Sequence, residues 1–118
     1  MYKLILSIPL LVAAQVAAAD PTSINSVRVS KEGGLYKFDV TISHNDTVWE
    51  HFSDAWRILD ADGNQLAIRE LIHPHVDEQP LTRSLSGVEL PAGTTEVGIQ
   101  ARDTQAGWGK EIKKVQIK

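Results

Sequence analysis

Between residues 35 and 43 the chain alternates strictly. Tyr36, Phe38, Val40 and Ile42 are apolar or aromatic, and Lys37, Asp39 and Thr41 between them are polar. A period of two puts one set on a buried face and the other in water, so this segment predicts a half-buried strand. Shorter β-branched runs recur along the rest of the chain, separated by turn residues at intervals of about eight to twelve positions, the spacing of a sandwich or barrel. Seven strands are predicted, over residues 24–30, 35–43, 55–59, 65–72, 83–90, 95–102 and 110–117. Gly87 falls inside the fifth and predicts a bulge. Lys31-Glu32-Gly33-Gly34, Asp60-Ala61-Asp62-Gly63-Asn64 and Pro91-Ala92-Gly93-Thr94 carry the residues that tight turns require.

These elements predict an all-β domain, a seven-stranded antiparallel β-sandwich. With Trp56 near the start of the third strand, it looks like an immunoglobulin or fibronectin type III domain. The chain has no cysteine, so the disulfide of antibody domains is excluded and the fibronectin-like variant fits better. The same absence removes thiolate metal sites, iron–sulfur clusters and cysteine nucleophiles.

The first residues break the strand pattern. Lys3 is followed by an apolar run from Leu4 to Val12 and by small residues ending Ala17-Ala18-Ala19 before Asp20. That order predicts a cleavable signal peptide over 1–19, too short and too diluted to span a bilayer, which needs about 20 apolar residues. Residues 20–118 are then a single domain, exported to the periplasm or secreted and free of the membrane after cleavage. Losing Lys3 leaves the domain one unit more negative than the net −3 of the whole chain. With its lysines scattered it offers no clustered basic face for nucleic acid.

Alternating strand direction sorts the loops to two poles. One pole receives only turn chemistry. The other receives the loops after the second, fourth and sixth strands, and with them all four histidines: His44, His51, His73 and His75. Trp49, Trp108, Asp46, Glu50, Asp54, Asp77, Glu78 and Asp103 fall there as well. Binding residues concentrate on loops held by a rigid scaffold, so this pole is the candidate working surface.

His73-Pro74-His75 places two imidazoles on one side of an extended segment. With His51 from a neighbouring loop they are expected to hold a transition metal, Cu(II) or Zn(II), since sulfur-free nitrogen donors suit these ions. His44 stands behind them because it continues the inward phase of the second strand. Asp77, Glu78 or Asp103 would complete the shell or orient the rings. The alternative is an interaction module, in which Trp49 and Trp108, with Asp103 and Glu78 beside them, dock an unknown periplasmic protein or a glycan and the histidines are incidental. Asp60 to Asn64 lacks the glycine and glutamate positions of an EF-hand and reads as a hairpin turn. No G-x-S-x-G, H-E-x-x-H or glycine-rich phosphate loop occurs, so an enzyme is not expected.

Three segments carry a resemblance. They are His44-Asn45-Asp46-Thr47-Val48-Trp49-Glu50-His51, His73-Pro74-His75-Val76-Asp77-Glu78-Gln79-Pro80-Leu81-Thr82-Arg83-Ser84, and Ala101-Arg102-Asp103 with Gly107-Trp108-Gly109. Together they resemble a group of small uncharacterised, signal-bearing periplasmic proteins of proteobacteria with an immunoglobulin- or fibronectin-like domain. The resemblance implies a bacterial periplasmic setting and no particular chemistry.

Overall fold

The computed structural model describes residues 21–47 and 49–118. The signal peptide expected at 1–19 lies outside them. The described residues form eight strands: β1 (Ser23–Glu32), β2 (Leu35–Ser43), β3 (Ser53–Leu59), β4 (Gln65–Glu70), β5 (Leu81–Val88), β6 (Glu96–Asp103), β7 (Gly107–Trp108) and β8 (Lys113–Gln116). All pairings are antiparallel. One sheet has the order β1-β2-β5; the other has β4-β3-β6-β7, with β8 also paired to β6. Among the described residues there is no helix, and the architecture is an all-β sandwich.

The alternating stretch behaves as its pattern dictates. Phe38, Val40 and Ile42 are fully enclosed, facing Trp56 and Ile58 of β3 and Val97, Ile99 and Ala101 of β6 across the core. Burying each of these large side chains contributes about 1.5–3 kcal/mol. Trp56 is completely buried, and its indole N–H finds no partner among the described residues. Gly98, also buried, lets β8's approach close over β6: a Cβ built there would lie 2.6 Å from Ile112 Cγ2.

Two differences from the predicted strands have local causes. The stretch from Asp103 to Gly109, expected to be a loop, contains β7. Gly107 takes φ +79°, a conformation that side chains disfavour, and this turns the chain straight back onto β6, where Gly109 N–H donates to Ala101 O at 2.8 Å. With β7 the described residues hold eight strands rather than the expected seven. The fifth strand starts at Leu81 rather than near Arg83, because Leu81 and Thr82 extend the ladder with Ile42 and Thr41. Gly87, at φ +67°, sits where the β2–β5 register slips between Tyr36 and Phe38, which is the predicted bulge.

At the pole of short turns, Asp60 organises the β3–β4 hairpin. Its Oδ1 accepts from Asp62 N–H at 2.9 Å and Asn64 N–H at 2.8 Å. These bonds, the Asn64 backbone first, hold its carboxyl below the usual 3.8.

Candidate metal centre

The opposite pole is built on Asp46. His44 follows directly on β2 and keeps its inward phase, so its ring is enclosed, with 0% of the side chain exposed. Just past the strand the chain makes a tight turn, Asp46 N–H donating to His44 O at 2.9 Å, which brings the Asp46 side chain back to that ring. Its Oδ1 accepts from His44 Nδ1 at 2.6 Å and from Ser53 N–H at 3.0 Å, and its Oδ2 accepts from His75 N–H at 2.8 Å. One buried carboxylate therefore ties the end of β2, the start of β3 and the β4–β5 loop together. Gln79 completes the clamp: its Oε1 accepts from His44 N–H at 3.0 Å, and its Nε2 donates to His75 O at 2.8 Å.

The β6–β7 turn joins from the other side. Thr104 N–H donates to Phe52 O at 3.0 Å, and the Thr104 hydroxyl bonds Phe52 N–H and Glu50 O. Asp103, the last residue of β6, is buried and pairs with Ser53 in the ladder. Its Oδ1 accepts from Gln105 N–H at 2.8 Å and Ala106 N–H at 2.7 Å, which fixes the carboxylate in a side-chain-capped turn.

His51 is thereby brought onto His44, ring centroids 4.8 Å apart and planes at 88°. One donor atom each from His44, His51 and Asp103 lies within 4.8 Å of the other two. Asp46 Oδ1 can only accept, so His44 carries its proton on Nδ1 and presents the Nε2 lone pair. His44 Nε2 and His51 Nε2 are both buried and have no hydrogen-bond partner among the described residues. A buried polar atom left unpaired costs about 1–3 kcal/mol, and two such nitrogens on neighbouring rings beside a carboxylate are a donor set for a cation. Two imidazole nitrogens and one oxygen match the first shell of Zn(II) or Cu(II). A tetrahedral ion with bonds near 2.1 Å sets its donors about 3.4 Å apart, so the cluster must contract slightly around one. His51, only half-buried, can rotate to do so.

His73 and His75 do not join that cluster. They form their own pair, ring centroids 4.5 Å apart, with His75 Nδ1 on Glu78 Oε1 at 3.3 Å and His73 Nδ1 on Pro74 O at 3.2 Å. Glu78 also faces Arg83, whose hydrogen bond is the main reason its carboxyl sits below the usual 4.5. Trp49 is 64% exposed and packs edge-on against Phe52 at 5.8 Å. Trp108 is not free: Arg57 and Arg102 lie over its ring at 3.8 and 4.9 Å. Arg57 is in turn held by Gln100 Oε1. Burial, and then the charge of Arg102, lowers its pKa below the ordinary guanidinium value. Sequence placed Asp46 at this pole but gave neither it nor Gln79 a role, and these two hold the His44 and His75 backbones together. The available signal was His44 itself, since an imidazole in the inward phase of a strand needs a polar partner, and Asp46 is the first residue that can supply one.

No family model matches the chain. A protein of the archaeon Halomicrobium mukohataei, named "Putative lipoprotein", is 36% identical over 80 residues, which covers 68% of this chain and 39% of that protein. The chain thus spans about two fifths of the relative's length. The relative is archaeal, not a member of the proteobacterial group that the three segments suggested. Among solved structures, a hypothetical protein of Pyrococcus horikoshii OT3 superposes with a TM-score of 0.55 at 11% identity, covering 89% of this chain and 95% of that one. At that identity the likeness concerns the fold alone.

Proposed function

We propose that this is an exported metal-binding domain that holds one Zn(II) or Cu(II) ion at the Asp46 pole, through His44 Nε2, His51 and Asp103. The observation that carries the reading is the pair of buried, unpartnered Nε2 atoms beside a fixed carboxylate. A bound ion satisfies both nitrogens at once, and Asp46 behind His44 is the carboxylate–histidine device that orients metal ligands. The relative named as a lipoprotein and the leader-like residues 1–19 favour an exported setting, and with no cysteine in the chain no thiol of its own competes for copper or zinc. The division of β1-β2-β5 against β4-β3-β6-β8 favours a fibronectin type III-like arrangement. The role is binding rather than catalysis, since no catalytic motif accompanies the cluster.

Metal-stripped protein titrated with Zn(II) and Cu(II) by calorimetry at pH 7.5 is expected to show saturable binding. His51→Ala and Asp103→Asn should each weaken the Zn(II) affinity by on the order of tenfold or more while the domain stays folded. Absence of saturable binding, or Zn(II) affinity untouched by His51→Ala, overturns the reading. A second reading has one observation behind it. Trp49, Ile72 at 76% and Val76 at 54% exposure stand out at this same pole, as the docking residues of a protein- or glycan-binding module would. Trp49→Ala that abolishes capture of a partner without changing metal affinity would favour it.

A further inference from the structure

The His73–His75 pair has the same construction as the buried cluster, on the outside of the pole. Both rings are bonded at Nδ1 to groups that only accept: the Pro74 carbonyl oxygen for His73 and the Glu78 carboxylate for His75. Both therefore carry their proton on Nδ1 and present Nε2 lone pairs. Neither Nε2 has a hydrogen-bond partner among the described residues. The His75 side chain is only 6% exposed, so its lone pair is set in the surface rather than waving in solvent, while His73 is open to water.

The backbone around the pair is already fixed. Leu71 N–H donates to Asp54 O at 2.9 Å, Pro74 restricts the middle, and His75 is held on both sides, its N–H by Asp46 and its C=O by Gln79. A chelate built on such a segment loses little conformational entropy when it closes. The two rings are also close, centroids 4.5 Å apart and planes tilted by 40°, so a small rotation of the exposed His73 ring is enough to bring both Nε2 atoms to one ion.

We infer a second metal site, in which His73 Nε2 and His75 Nε2 chelate one Cu(II) ion in cis positions of a tetragonal shell completed by water. Cu(II) is the ion of choice because right-angled nitrogen donors fit its tetragonal geometry and it binds such donors more tightly than other divalent first-row ions. Glu78 is a positioning residue here, holding the His75 tautomer, and Arg83 holds Glu78. The site shares Asp46 with the buried cluster only through the His75 backbone N–H and shares no donor with it. It therefore stands or falls separately.

The test is a Cu(II) titration of the metal-free domain, followed by calorimetry and by electron paramagnetic resonance. Wild type should bind two equivalents. His51→Ala should leave one, whose spectrum shows tetragonal copper with coupling to two nitrogens. In that background His73→Ala, an exposed position that carries no fold risk, should weaken the remaining Cu(II) by on the order of tenfold or more and reduce the coupling to one nitrogen. His75→Ala should do the same. If Cu(II) affinity and nitrogen coupling are unchanged in His51→Ala, His73→Ala, the second site is refuted. If wild type and His51→Ala bind Cu(II) alike while His73→Ala alone loses an equivalent, the buried site fails and the surface site stands.

Discussion

Replacing Asp46 with alanine removes three hydrogen bonds at once. Ser53 N–H, His75 N–H and His44 Nδ1–H all point at its carboxylate, and all three residues are buried. Each orphaned donor costs about 1–3 kcal/mol, more where the acceptor was charged. Water entering the vacated space recovers part of this, so a loss of about 4 kcal/mol is expected. Domains of this size are stable by about 5–15 kcal/mol, so the variant should still fold at 25 °C. Its Tm should drop by on the order of 20 °C, at about 4–8 °C per kcal/mol. Asp46→Asn keeps the shape and one accepting oxygen, but its amide must face at least one N–H, so about half the loss is expected. The assay is urea unfolding with chelator present, followed by tryptophan fluorescence and far-UV circular dichroism, so that metal binding does not contribute. An unchanged m-value with a lowered midpoint would report stability alone. A cost below about 1 kcal/mol for Asp46→Ala would refute the claim that this carboxylate holds the pole together.

Two further outcomes follow from the geometry. Gly98→Ala should destabilise by about 1 kcal/mol because the new methyl meets Ile112 Cγ2. Ile112→Ala in the same chain should remove most of that penalty, which a double-mutant cycle measures as a coupling between the two sites. Acid titration of stability should follow Asp60 and Glu78, whose folded carboxyls lie below their usual 3.8 and 4.5. Lowered values in the fold mean stabilisation that is present above about pH 4.5 and lost as pH falls through the folded values. Asp60→Asn and Glu78→Gln should each flatten that limb of the stability curve, though only slightly, because both groups lie at the surface where solvent screens them. A limb left unaltered by both changes would contradict the assignment.

The alternation of Tyr36 to Ile42 and of Val97 to Ala101, with turn residues between such runs, was enough to specify two facing layers and the residues between them. Side-chain direction reverses at every residue of a strand, so the pattern names the buried face without knowledge of its neighbour. Topological alternation likewise sent all four histidines to one pole. Which of them meet was not legible. His51, His73 and His75 are near one another by loop order, yet the three-donor cluster forms from His44, His51 and Asp103. The choice was made by Asp46 and Gln79, whose side chains bond across 29 and 35 positions of sequence. A contact at that separation leaves no periodic trace, because it depends on how three loops are spaced at the end of two packed sheets. Trp108 illustrates the same limit: sequence placed it in a glycine-flanked loop, while the Gly107 turn laid it on β6 beneath Arg57 and Arg102. Period and turn chemistry are local, and they determined the sandwich and its poles; the pairing of lone pairs into sites is a property of distance, which only the folded chain decides.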